Sequence, residues 1–281
     1  MDQSCEVAVK LSDGIEQDPS ALMRGLRRDI IDMARHSAHV AVSLSCVDII
    51  AALYLGVLRP SDNPGADPNG DVFILSKAHG AMALYAVLAR AGLLDRETLK
   101  TYGEDFSHLA EHPLAEKVAG IVFAAGSLGH GCAVAAGMAK GFKMQGQARR
   151  VFVLLGDGEC DEGAVWEAAA AARAHRLDNL TAVVDMNGLQ ACGACRDISR
   201  GVSLPDCWRA FGWAVEETDG HDFLLLRDVL GRPNPEGLPR AVLCRTIKGK
   251  GIPFMEGNLE WHYRPVRGAD REAALRYLSD A

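Results

Sequence analysis

Short apolar runs separated by helix-like stretches constrain this chain more than any other feature. VFIL (Val72–Leu75), VFVLL (Val151–Leu155) and TAVVDM (Thr181–Met186) are apolar almost end to end. WAVEETD (Trp213–Asp219) and AVLCRTI (Ala241–Ile247) read as two further strands. Between the first three lie an apolar helix, Ala81–Ala91, and an alanine-rich one, Val165–His175. Strands that are apolar on both faces need cover on both faces, and parallel strands need a crossover, usually a helix. The expectation is an α/β doubly wound domain, a mainly parallel sheet with helices on both faces. Two helices should precede it, from about Leu22 to His36 and from about Val47 to Leu58; Leu22, Leu26, Ile30 and Met33 have helical spacing. Residues 1–20 read as an N-terminal arm, 21–281 as one domain, and Pro60–Gly70 as a surface loop.

In such a sheet, ligands bind at the carboxyl ends of the strands. Gly156-Asp157-Gly158 ends the VFVLL strand, and Asn187 ends TAVVDM 30 positions after Asp157. The helix between them returns the chain to the same edge. A carboxylate and an amide oxygen at neighbouring strand ends suit a hard divalent cation that shares its oxygen ligands with phosphates. A backbone carbonyl just after Asn187 adds a third oxygen. The glycines let the backbone approach the phosphates, and the N-terminal end of the Glu159–His175 stretch offers amide donors to an anion. GDG alone is a weak signal, because a plain strand-to-helix turn looks the same; GDG at one strand end with Asn-Gly at the next is far more specific.

Nine histidines stand in the chain, and His39, His79, His112, His130 and His262 lie beside small residues or prolines in loop-like contexts. Each alone reads as structural or surface. Grouped round a diphosphate they would donate to anionic oxygens and carry protons near neutral pH.

The net charge of −7, with no Lys/Arg cluster, speaks against a nucleic-acid partner. The apolar runs read as too short to span a bilayer. Met1–Lys10 mixes charged with apolar residues and lacks a signal-peptide core, so a reducing cytoplasm is the expected compartment. The eight cysteines fit that setting as small buried hydrophobes. Cys192 and Cys195 have C-x-x-C spacing, but no second such pair completes a metal site, so they read as part of a loop.

The segment Leu154–Gln190 resembles the thiamine-diphosphate motif, and its details resemble transketolase. SAHVAVSLS (Ser37–Ser45), LSKAHGAMALY (Leu75–Tyr85), AEHP (Ala110–Pro113), GSLGHG (Gly126–Gly131) and TIKGKGIPFMEGNLEWH (Thr246–His262) follow in family order, over about Leu22–Pro265. The resemblance implies Mg²⁺ (or Ca²⁺ or Mn²⁺) on Asp157, Asn187 and the Leu189 carbonyl. It implies Gly156, Gly158, Glu159 and His79 on the diphosphate side, with His262 nearby. Gly126, Ser127 and Leu128 would line the aminopyrimidine side. Glu162 would stand at a subunit interface beside the cofactor. His39, His112 and His262 would face the reacting centre.

The implied activity is transfer of a two-carbon ketol unit from a ketose to an aldehyde. The family's activating glutamate lies on a following pyrimidine-binding domain, about where this sequence stops at Ala281. The expectation is a composite site shared with a separate C-terminal transketolase-like subunit, most simply an α₂β₂ assembly. Two other readings keep the same metal site: a 2-oxoacid-decarboxylating subunit, and a cofactor-binding subunit without catalysis. The departures lie on the presumed substrate side: Ala38 and Val40–Val42 where glycine and proline are usual, Glu111 before His112, Leu114 after Pro113, His130, and Tyr263 after His262.

Overall fold

The computed structural model describes residues 18–35, 38–59, 69–115, 117–199 and 201–280. The proposed arm up to residue 17 and most of the Pro60–Gly70 loop lie outside them. Five strands form one parallel sheet: β1 (Val72–Leu75), β2 (Val151–Gly156), β3 (Leu180–Met186), β6 (Ala214–Asp219) and β7 (Arg240–Arg245), in the order β1-β2-β3-β7-β6. β4 (Leu189–Gln190) and β5 (Gly193–Ala194) make a small antiparallel hairpin beyond β3. All five expected strands are present, shifted at their ends by a residue or two.

Alternate residues of each inner strand face opposite layers. Phe73, Leu75, Phe152, Leu154, Val183 and Val242 pack under α1 (Pro19–Met33), α2 (Val40–Ala52), α3 (Ala81–Arg90), α8 (Phe223–Gly231) and α9 (Gly268–Asp280). Ile74, Val153, Leu155, Ala182, Val184 and Leu243 pack under α4 (His130–Met144), α5 (Gly163–Ala174) and the indoles Trp208 and Trp213; Trp208 lies on α7 (Leu204–Ala210), after the short α6 (Cys195–Ile198). β6, an edge strand, is more polar than the others. Its Glu216 and Glu217 pair with Arg232 and Arg245, and such charge blunts an edge against unwanted strand pairing.

The second helix begins at Val40, seven residues before the expected Val47. Val40–Val42, expected in the loop on the substrate side, are therefore fully buried helix, since Val40-Ala41-Val42 holds no glycine or proline to break it. The run Val40–Val57, which ends in a π-helical turn (Leu53–Val57), is long and apolar enough to cross a membrane. That corrects the reading of the apolar runs as too short. It is 89% buried inside the fold, as a core helix must be.

Candidate active site

Asp157 follows directly on β2 and is 7% exposed. It accepts N–H bonds from Gly158 (2.8 Å) and Gly188 (2.6 Å). The Gly188 bond ties the end of β2 to the turn that carries Asn187 and Leu189. Gly188 has φ +77, a conformation glycine adopts without strain. Asn187 Oδ1 accepts the Leu189 N–H at 3.1 Å, and its amide nitrogen leans on Asp185. Among the described residues no cationic side chain pairs with Asp157. Burial, then the negative charge of Asp185, raises its pKa above the ordinary carboxylate value, against the two backbone donors. A buried carboxylate without a cationic partner is costly, and a bound cation would relieve it.

One layer further in, Asp185 of β3 is fully buried and takes Lys77, Ser45 and Thr246 as donors. Burial would raise its pKa, but the Lys77 ammonium holds it below the ordinary value. Lys248 is also buried but has no carboxylate partner among the described residues. Its ammonium donates to the Leu189 carbonyl (3.1 Å) and meets His262 Nδ1 (2.6 Å). Burial, then the charge of Lys77, lowers its pKa to about 8. Neither lysine nor Asp185 entered the expected site. A signal was there: each stands at or just beyond a strand end, Lys77 in LSKAHG and Lys248 in TIKGKG.

Four histidines meet beside this layer. The His39 ring lies 5.4 Å from His79, 6.5 Å from His112 and 5.9 Å from His262. Tyr263, 60% exposed, covers the group at 5.2 Å from His39 and 4.5 Å from His262. His39 caps α2 in the left-handed region (φ 31), and its buried Nδ1 has no hydrogen-bond partner. Strain and an orphaned polar atom together mark a position shaped for a ligand. His130 stands apart from this group as the exposed first residue of α4.

Burial, then the charge of Lys77, pushes the His79 pKa well below its ordinary value. Burial, then the charge of Lys248, takes His262 to about 3. Burial lowers His39 as well, partly opposed by Glu111. These rings are neutral in the fold, whereas in the unfolded chain they take up protons below about pH 6.5. The unfolded state then binds more protons, so stability is lost as pH falls through that value. The ligand-free thermal midpoint is expected to drop between about pH 7 and about pH 5, and His79→Gln to flatten the drop. A midpoint that does not change over that interval would contradict the neutral cluster.

Glu159 departs from its expected place on the diphosphate side. Its carboxylate turns inward, 3% exposed, and is taken up by Ser76 and by the N–H groups of Gly129 (2.8 Å) and Gly156 (3.0 Å). The α-helix here starts at Gly163, after a 3₁₀ turn over Gly158–Asp161, so the expected helical amides of Glu159 lie outside it. A Cβ at Gly158 would lie 2.7 Å from Gln190, so the cradle admits only glycine there without a shift. Gly126 and Ser127 are exposed and Leu128 half-buried at the start of α4, and Glu162 is exposed at the start of α5.

The described cysteines are all free. Cys192 is exposed and Cys195 half-buried, and neither is in a disulfide. The Cys195 thiol bonds Asp157, and burial, then that carboxylate's charge, raises its pKa to about 12.

Residues 15–278 match the family described as transketolase, thiamine diphosphate binding domain. The chain is 40% identical over 260 residues to an apulose-4-phosphate transketolase subunit of Actinobacillus succinogenes, covering 92% of this chain and 94% of that protein. It is 41% identical to the 6-deoxy-6-sulfo-D-fructose transketolase subunit SqwG of a Clostridium species, covering 85% and 88%. The crystal structure of Campylobacter jejuni transketolase superposes with a TM-score of 0.81 at 27% identity, over 92% of this chain and 41% of that one. With the family match spanning nearly the whole fold and these relatives above 30% identity, the chain belongs to the transketolase thiamine-diphosphate-binding-domain family.

Proposed function

We propose that this chain is the diphosphate-binding subunit of a two-chain transketolase, which moves a two-carbon ketol unit from a ketose to an aldehyde. The observation that carries this reading is the buried, cation-free Asp157 beside the Asn187–Leu189 turn, adjoining Lys248 and four clustered histidines.

The residues present fit the cofactor. Asp157, Asn187 Oδ1 and the Leu189 carbonyl form an all-oxygen set that suits Mg²⁺, and also Ca²⁺ or Mn²⁺. Among the described residues no group of three His, Cys, Asp or Glu could hold a metal instead. Gly156 and Gly158 let the backbone approach the diphosphate, with His79, His262 and Lys248 as its donors. Gly126, Ser127 and Leu128 line the aminopyrimidine side, on a frame that Glu159 braces from behind. When bound, thiamine diphosphate supplies an electron sink for breaking a carbon–carbon bond. His39, His112 and His262 bind and orient the ketose oxygens and hold protons at them.

The relatives of matching length are named as transketolase subunits, which supports a separate C-terminal subunit here. That partner would bring the pyrimidine-binding domain and the activating glutamate, most simply as α₂β₂. Glu162 and the exposed small residues Ala133, Gly137, Ala170 and Ala171 of α4 and α5 form the face it would meet. The free cysteines suit a cytoplasmic setting.

A split among the histidines tests the reading. With the partner present, His79→Ala should weaken cofactor binding, with turnover restored at saturation. His39→Ala and His112→Ala should lower kcat by roughly a hundredfold, with little change in cofactor affinity. Titration calorimetry beside steady-state assays separates the two. If all three changed only cofactor affinity, the reacting-centre roles would be wrong.

A further inference from the structure

Lys248 sits on a turn, residues 246–251, that follows β7 and has no regular structure of its own. A buried ammonium without a carboxylate partner gains by moving out to water, so something must hold the turn in place. Two backbone groups flanking Lys248 are tied down from the far side. The Ile247 N–H donates to His221 Nε2 at 2.8 Å, and the Lys250 carbonyl accepts from Arg27 Nε at 3.0 Å. Both side chains converge on one carboxylate. Asp48, 1% exposed on α2, meets His221 Nδ1 at 2.9 Å and Arg27 Nη2 at 2.5 Å. Because Nε2 accepts a backbone N–H it carries no proton, so Nδ1 is the donor to Asp48. Each polar edge of the imidazole is therefore used.

We propose that Arg27, Asp48 and His221 are a positioning clamp that holds the 247–250 backbone so that the Lys248 ammonium stays in the diphosphate pocket. This rests on the reading of Lys248 as a diphosphate donor. The clamp gathers three elements that no local signal connects: α1, α2 and the segment between β6 and α8. Stability alone does not account for it, since a buried ionic network is often replaceable by apolar residues at no loss. What apolar residues cannot do is bind a backbone N–H on one side of Lys248 and a carbonyl on the other. The clamp borders a cavity of about 520 Å³, so truncating His221 opens onto water rather than leaving a sealed void.

The test is thiamine diphosphate affinity with saturating Mg²⁺, by titration calorimetry on the full chain with its partner, with thermal midpoints to confirm folding. His221→Leu removes both bonds and should weaken affinity about tenfold, as loss of a supporting partner does at other sites. His221→Gln keeps one acceptor and one donor and should recover most of that loss. In a Lys248→Met background, His221→Leu should cost nothing further, because the group it positions is already gone. An equal loss in both backgrounds would make His221 merely structural and overturn the clamp. So would full affinity in His221→Leu while Lys248→Met is impaired. Unchanged affinity in Lys248→Met itself would instead sink the underlying reading of that lysine, and the clamp with it.

Discussion

Asp157→Ala should weaken Mg²⁺-dependent thiamine diphosphate binding by more than about a hundredfold, since even residues that only support metal ligands are worth ~10–100-fold. Asp157 is the one carboxylate among the three proposed metal ligands, and Asn187 and Leu189 offer only neutral oxygens. The fold should survive, because the carboxylate accepts two backbone N–H bonds and pairs with no cation among the described residues. Asp157→Asn sharpens the case. The amide keeps an oxygen for one of these donors and removes a charge whose burial is unfavourable. Its ligand-free thermal midpoint should rise, at roughly 2–4 °C for each kcal/mol gained, while metal-dependent binding is lost. Gain of stability with loss of binding is the pattern of a residue kept for function. Titration calorimetry and thermal unfolding without ligand measure the two halves. Undiminished cofactor affinity in Asp157→Ala would remove the metal assignment.

The second large effect is assembly. Purified alone, the chain should show no ketol transfer at saturating Mg²⁺ and thiamine diphosphate. With its partner subunit it should turn over and elute at the mass of a hetero-oligomer. Two observations motivate this. Relatives matched over 94% and 88% of their own length carry subunit names. The proposed aminopyrimidine side, Gly126 and Ser127, is open to solvent, as are Ala133 and Gly137 on α4 and Gly163, Ala170 and Ala171 on α5. Faces of small residues let another chain approach closely, and left bare they favour self-association. The isolated chain should therefore bind cofactor weakly and form dimers or aggregates, since a partner that binds only the folded chain also stabilises it. Full ketol transfer by the isolated chain, seen in a coupled carboligase assay, would refute the two-chain reading.

Two of the departures noted in the sequence lie at the histidine cluster. Tyr263 stands over His39 and His262, where glycine is usual in the family, and Glu111 lies close enough to raise the His39 pKa against its burial. Both stand at the histidine cluster, away from the Asp157–Asn187 pair.

The sequence by itself determined the sheet and the two strand ends at its centre. Each inner strand is built on a mainly apolar run, and the 30-residue step from Asp157 to Asn187 leaves room for one crossover helix. Those are local properties, legible because side-chain period and crossover length are set by backbone geometry alone. The histidines were legible as a set from their loop-like contexts, and their separate roles only through the order of motifs that resemble transketolase. Tertiary structure decided the rest. Ser45 meets Asp185 across 140 positions, Lys77 meets it across 108, and Ser76 meets Glu159 across 83. No periodicity spans such distances, so nothing in the letters showed that Glu159 turns inward or that Lys77 is spent on Asp185. Nor did they show that Lys248 is left with no carboxylate partner among the described residues. The start of α2 at Val40 was hidden for a related reason. A helix buried on every side has no polar face, and without amphipathic contrast its first turn looks like any other apolar stretch.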